Sequence, residues 1–460
     1  MQLFRIQGGR PLAGEVVVGG SKNAALPIMA ASILARQPVR LDAVPDLVDV
    51  DTLARVLGHL GVEAKRQLGG SLRLETVDDG PTWADYQLVR RMRASFCVLG
   101  PLVARRGKAA VALPGGCDIG DRPVDLHLRG LTALGADVRI EHGYVIAESR
   151  GLVGATVHMS GPRGPTVTGT ANVLCAATLA RGRTIITGAA VEPEVVDLGR
   201  FLVTLGARIE GMGTPTLEIE GVEALGGGPY RIIPDRIETA TLLLATAITR
   251  GRVSVTGAAP EHLHAVLSKL DEAGAEIHVE RGRITLACRR RPRPTDVTAL
   301  PYPGLPTDLQ SQWMAWMTLA PGRSVIRDRV FGDRFRHVAE LNRLGARIER
   351  QVETAIVTGV DRLTAAEVTA SDLRASAALV LAALAAEGQS VVRRIHHLDR
   401  GYDRLDVKLA QLGAGIERLS GAQARDAAVH QRTAPRRSGH RATPLSAPGA
   451  CGGLVYPWEV

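Results

Sequence analysis

Only five of the 56 basic residues are lysines, and one of them, Lys22, sits where chemistry is plausible. It falls in VVVGGSKNAALPIMAASIL, where a β-branched run meets a Gly-Gly-Ser turn and an apolar helical pattern starts. Backbone N–H groups at such a start attract an anion, and a lysine adds a point charge that reaches a phosphate. The GxxxxGK[ST] spacing of a nucleotide-binding loop is missing. Two alternatives stand: an anion-binding turn, or an ordinary helix start with a solvated lysine. A second unusual segment is VALPGGCDIGDRPVDLH, in which turn formers surround Cys117, Asp118, Asp121 and Arg122. Cys97, Cys175 and Cys288 lie in apolar runs and read as small buried hydrophobes. An accessible Cys117 beside a cation is instead placed for thiolate chemistry, which the neighbouring aspartates oppose. The glycine-rich loop also reads as a lid over a substrate. Arginines recur at matching places, Arg93 in RRMRAS and Arg374 in SDLRAS at helix starts, with Arg334 in VFGDRFRH and Arg400 in HLDRGYDRL. Planar forks lining a cleft suit carboxylate and phosphate; the alternative is the solvated surface of an arginine-rich chain. Asp308, in LPTDLQSQ, stands at another helix start, as an N-cap or as a working carboxylate.

The elements that must position these residues repeat six times. An apolar helical pattern ends at Leu60-Gly61, Leu134-Gly135, Leu205-Gly206, Ala273-Gly274, Leu344-Gly345 and Leu412-Gly413, and a β-branched strand follows each. The glycines are 74, 71, 68, 71 and 68 residues apart, so one supersecondary unit is used six times. Upstream of each lies an alanine-rich run and a strand, as in AATLARGRTIIT and ATAITRGRVSVT. Each unit therefore reads helix, strand, helix, glycine stop, strand pair. A single unit cannot bury its apolar face, so six units predict two domains of three.

At 460 residues and 45% hydrophobic the chain can bury a large core, and at 3% aromatic that core must be aliphatic. No run of eighteen apolar residues and no leader pattern occurs, which predicts a cytoplasmic protein with no membrane partner. Five widely spaced cysteines and twelve histidines without an HExxH motif predict reduced thiols, no metal and no cofactor. The net charge is +9; after the sixth repeat the chain carries five arginines against Asp426 and Glu459 in a Pro-, Ser- and Gly-rich stretch. That composition predicts a disordered extension over residues 420–460, and without aromatic interleaving it predicts no nucleic-acid partner.

Nine segments in order, GGSKNAALPIMA, MRASFCVLGPLVAR, PGGCDIGDRPVDLH, VEPEVVDL, PDRIETAT, PTDLQSQ, DRFRH, SDLRASAALV and DRGYDRL, resemble blocks of the enolpyruvyl transferase family, and within it of the UDP-N-acetylglucosamine 1-carboxyvinyltransferases. The resemblance spans residues 1–418 and does not extend to the tail. It implies an α/β fold of two inside-out domains, each of three βαβαββ repeats with helices inside and sheets outside. The implied domains are 22–231, carrying the Cys117 loop, and 1–21 with 232–419.

The implied reaction moves the enolpyruvyl group of phosphoenolpyruvate to the 3′-hydroxyl of UDP-N-acetylglucosamine and releases phosphate, an early step of peptidoglycan precursor synthesis. By similarity Cys117 is the acid and the thiol that the epoxide fosfomycin alkylates, and Asp308 orients or deprotonates the hydroxyl. Lys22, Asn23, Arg122 and Arg400 would hold the phosphoenolpyruvate, with Arg334 and Arg374 completing the anion pocket. Arg93, the run Arg122, Pro123, Val124, Asp125 and Leu126, Asp308 and the backbone near Val330 would receive the UDP-sugar. The segment around Thr166 to Thr168 is expected near the uridine or diphosphate. The other readings are a sister transferase acting on shikimate 3-phosphate, which lacks the PGGC loop, and a catalytically idle UDP-sugar-binding paralogue.

Overall fold

A computed structural model describes residues 2–68, 70–115 and 122–421. The repeat is visible in every unit: a buried helix, a strand, an outer helix, then a hairpin, which in the sixth unit is replaced by the single strand Gly415–Ser420. The six buried helices are Lys22–Ala31, Leu99–Arg106, Val167–Ala177, Arg236–Ile248, Gln310–Met317 and Leu373–Ala385. Arg236–Ile248 is buried at every position and Leu373–Ala385 from Arg374 to Leu384. Helices that are apolar on all sides have no face to offer water and must lie inside. The strands cover them with one face only, as the alternating burial of Thr216–Glu220 and Thr354–Thr358 shows. The outer helices, such as Val48–His59, are amphipathic.

Among the described residues six four-stranded sheets share one order, in which a parallel pair is extended by two antiparallel strands, in five sheets the hairpin of the same unit; Thr156–His158, Arg183–Thr187, Thr216–Glu220 and Arg208–Glu210 are one instance. All six repeat glycines have positive φ, from 75° at Gly61 to 107° at Gly206, so each stops its helix in the left-handed conformation expected. Buried hydrophobics form two large clusters, one drawn from residues 24–232 and one from residues 4–18 and 237–412. Both are aliphatic, apart from a few rings such as the Trp313–Trp316 pair with centroids 5.2 Å apart.

Three strands depart from simple succession. Gln2–Gln7 inserts between Gln389–Arg393 and Gly415–Ser420, antiparallel to both. Ala13–Val17 runs parallel to Arg252–Thr256, and Gly228–Arg231 parallel to Val39–Asp42. The chain therefore crosses between the two clusters twice, side by side: Ser21 N donates to Ile233 O at 2.7 Å and Asp235 N to Gly19 O at 2.9 Å. Gly20 is required here, because a Cβ would lie 1.8 Å from the Ala43 carbonyl oxygen. Side chains strap the crossing. Glu238 accepts from Gly19 N at 2.8 Å, Asp235 from Lys22 N at 3.2 Å, and Asp197 from Tyr230 OH at 2.6 Å and Ile233 N at 3.3 Å.

Arg93 and Arg374 both stand at helix starts, as expected, but the starts differ: Arg93 opens the 3-10 helix Arg93–Val98, which runs on into Leu99–Arg106, whereas Arg374 lies in the first turn of an α-helix capped by Asp372. The residue before Arg93 is Met92, which has no side-chain acceptor for the free N–H groups. Residues 422–460 of the expected tail lie outside the described residues.

Candidate active site

Ser21 caps the first buried helix by accepting from Ala24 N, which places Lys22 on its first turn with only 9% of its surface exposed. The solvated-lysine alternative is thereby excluded. Lys22 Nζ lies 2.9 Å from Asp49 Oδ2, and Arg400 Nε, at the end of the turn Ile395–Arg400, donates to Asp49 Oδ1 at 2.9 Å. Asp49 thus gathers one cation from each half of the molecule. Burial would raise its pKa, but Lys22 and Arg400 override that and hold the carboxyl below its usual range. Sequence reasoning missed Asp49 because an acid in a first turn passes for dipole compensation. The signal was its phase: Asp49 lies on the same face as Leu53, Val56 and Leu57, the apolar face of Val48–His59.

Asp308 sits in the turn Thr307–Leu309 and makes no cap hydrogen bond, so its N-cap alternative is also excluded. Arg334 Nη2 approaches Oδ1 at 2.9 Å, Arg374 Nη2 donates to Oδ2 at 3.2 Å, and Asn23 Nδ2, from the other half, stands 3.5 Å from Oδ2. Burial would raise the Asp308 pKa; the two guanidiniums reverse this and hold it well below the carboxylate range. Both arginines are buried, and in each the Nε–H has no partner among the described residues. Buried donors left open next to a carboxylate mark where an incoming anion gains most. Arg374 also stacks over Tyr402, 5.2 Å from the ring centroid.

The rim is built from the second repeat. Arg93 Nη2 donates to the carbonyl oxygens of Arg122 and, at 3.2 Å, Pro123. The Arg122 guanidinium lies 4.8 Å from the Phe331 ring centroid, with Arg334 5.9 Å from the same ring. The N–H groups of Val330 and Phe331 both donate to Asp328 Oδ1, at 3.0 and 2.8 Å, so the loop at Val330 is held rigid and its backbone N–H is already used. Val124 leads into the helix Asp125–Ala133, with Leu126 partly buried. Thr166 caps Val167–Ala177, while Thr168 is drawn to His127 Nε2 at 3.2 Å. Asn172 fixes this corner: its Oδ1 accepts from Gly100 N at 2.8 Å, and its Nδ2 donates to Phe96 O and to His127 Nδ1. The His127 proton is therefore on Nε2, and burial followed by Arg93 and Arg122 pushes its pKa down to about 3. Cys117 falls within residues 116–121, outside the described residues.

The structure thus gathers Lys22, Asn23, Asp308, Arg334, Arg374 and Arg400 with Asp49, and joins Arg93 and Arg122 to the same place through Phe331 and Arg334. Two carboxylates amid six cations and an amide can bind a multiply charged anion and accept a proton from a hydroxyl beside it.

The fold and this arrangement define a class. The family model for EPSP synthase (3-phosphoshikimate 1-carboxyvinyltransferase) matches residues 6–409, and the chain belongs to this family. Within it, the chain is 51% identical over 423 residues to the UDP-N-acetylglucosamine 1-carboxyvinyltransferase of Escherichia coli O1:K1, covering 92% of this chain and 100% of that protein. It is 50% identical, with the same coverage, to the protein of that name from Escherichia fergusonii. Among solved structures, the enolpyruvyl transferase NikO from Streptomyces tendae superposes with a TM-score of 0.83 at 28% identity, over 91% of this chain and 99% of that one. EPSP synthase from Acinetobacter baumannii, at 16% identity and a TM-score of 0.68 over 91% of this chain and 100% of that one, shares the fold.

Proposed function

We infer that the protein transfers the enolpyruvyl group of phosphoenolpyruvate to the 3′-hydroxyl of UDP-N-acetylglucosamine and releases phosphate, the first committed step of peptidoglycan precursor synthesis. The observation that carries this reading is half-identity along nearly the whole chain to transferases named for that sugar nucleotide. The family model carries the name of the shikimate enzyme, but the solved structure of an EPSP synthase is only 16% identical to this chain.

The residue roles are our proposal. Lys22, Asn23, Arg122 and Arg400 hold phosphoenolpyruvate, with Arg334 and Arg374 completing the pocket. Arg93, Arg122 to Leu126, Asp308 and the loop at Val330 receive the UDP-sugar. Cys117 delivers a proton to C3 of the enol, leaving a cationic C2; Asp308 takes the proton of the 3′-hydroxyl as its oxygen bonds to C2. The tetrahedral adduct then loses phosphate by C–O cleavage, and loss of a C3 proton restores the double bond. Asp308 is neutralised by Arg334 and Arg374, so an anionic substrate that draws those guanidiniums to itself prepares the base. We further propose a cytoplasmic enzyme with domain limits at 22–231 and 1–21 plus 232–419. No helix among the described residues is long and apolar enough to cross a membrane.

A phosphate-release assay tests the assignment. Phosphate is expected only with phosphoenolpyruvate and UDP-N-acetylglucosamine together; equal turnover with shikimate 3-phosphate in place of the sugar nucleotide would overturn it.

A further inference from the structure

The last described strand, Gly415–Ser420, carries an arginine whose partners lead back to the anion pocket. Arg418 Nε donates to Asp406 Oδ2 at 3.0 Å and Nη2 to Asp406 Oδ1 at 3.2 Å. On its other edge Nη1 and Nη2 donate to the two oxygens of Asp399 at 3.0 and 2.7 Å, and Nη1 also donates to Gln2 at 3.2 Å. These contacts engage all five N–H donors of the guanidinium, which also stacks 4.9 Å from the Phe4 ring centroid. An ordinary surface arginine makes no such set of bonds.

The two carboxylates bracket a short stretch of chain. Asp399 directly precedes Arg400, and Asp406 lies in the first turn of Leu405–Gln411. Between them, Arg400 reaches across to Asp49, and Tyr402 stacks beneath Arg374. The same stretch contains a strained residue, Arg404 at φ 46°, and follows another, Arg394 at φ 58°. Non-glycine residues persist in that region only where surrounding contacts over-determine the backbone. The double clamp by Arg418 is such a contact.

We propose that Arg418 is a positioning residue for phosphoenolpyruvate binding: by gripping Asp399 and Asp406 it holds the intervening chain so that Arg400 points at the substrate phosphate. This rests on the reading of Arg400 as a phosphate ligand. Among the described residues the bonds of Arg418 go to Asp399, Asp406 and Gln2 and not to Asp49 or the proposed substrate ligands, so its effect is transmitted through the backbone of residues 399–406.

Steady-state kinetics on the full chain, with UDP-N-acetylglucosamine affinity measured by calorimetry, test it. Arg418→Ala is expected to raise the KM for phosphoenolpyruvate roughly 10- to 100-fold, the scale on which misplacing a binding group acts. Affinity for the UDP-sugar should stay within about twofold, since its proposed ligands lie elsewhere. Arg418→Lys, which keeps the charge but cannot fork onto two carboxylates, should fall between the wild type and alanine. Should Arg418→Ala fail to fold, Asp399→Asn, which leaves Arg418 on Asp406 and Phe4, should shift the same KM in the same direction by a smaller factor. An unchanged KM for phosphoenolpyruvate in these variants, with only kcat or the thermal midpoint lowered, would reduce Arg418 to a strand anchor and overturn the proposal. Arg400→Ala separates the two levels. If it leaves that KM unchanged, the reading of Arg400 falls; if it raises KM while the Arg418 and Asp399 variants do not, the positioning role alone falls.

Discussion

Arg334 and Arg374 hold the Asp308 carboxylate well below its normal range, which makes it a poor proton acceptor for as long as both are paired to it. In the proposed binding mode the same pairing makes the carboxylate compete with substrate for the two guanidiniums. Asp308→Asn should therefore cut kcat by about 10²- to 10⁴-fold, the range for losing a general base, without raising the KM for phosphoenolpyruvate. A raised KM with kcat intact would show that Asp308 binds and does not react. The positions of the site cations were legible in the sequence because lysine is scarce and the arginines stand in blocks with a family resemblance. Their partners were less legible. Asp49 was hidden in a helix start where acids are common, and the pairing of Asp308 with two arginines far along the chain leaves no trace in local spacing.

At the scale of elements, the glycine that ends each outer helix does the same backbone task in different surroundings. Gly135 and Gly61 have similar φ, 86° and 75°, but a Cβ at Gly135 meets nothing within 4 Å, while one at Gly61 would stand 2.1 Å from the Asp78 carbonyl oxygen. Gly135→Ala should thus cost only the left-handed penalty, about 1–2 kcal/mol. Gly61→Ala must cost more, because the hairpin backbone has to move as well. Denaturant titration of both variants checks this; equal losses would mean that the Asp78 loop yields freely. These elements were the most legible part of the chain, since a unit used six times states its helix stop six times. The exchange of strands among the first, fourth and sixth units was not legible in the pattern, because a strand carries no mark of which sheet it joins.

For the whole molecule, the chain passes between the two halves at the paired crossing, and Asp197 anchors the approach to it on the first half. Burial pushes its pKa up to about 6, against about 3.9 for an unfolded aspartate. Between those values the folded protein keeps a proton that the unfolded chain releases. The stability from this group is thus complete below about pH 4 and lost as pH rises through 6. Asparagine imitates the protonated form. The thermal midpoint of Asp197→Asn relative to wild type should therefore be more favourable at pH 8 than at pH 5. A difference that does not change with pH would show that Asp197 is ionised throughout.

The placement of Gln2–Gln7 between Gln389–Arg393 and Gly415–Ser420 sets an order of events during synthesis. Every strand of the first three sheets lies between residues 39 and 231, so that half can close while the ribosome is still translating. Gln2–Gln7 must wait, unpaired, until Gln389–Arg393 has emerged, and its other edge is covered only when Gly415–Ser420 follows. Vectorial synthesis therefore completes the half built from residues 39–231 first and seats Gln2–Gln7 late, and the arginine that clamps the Arg400 segment arrives with Gly415–Ser420.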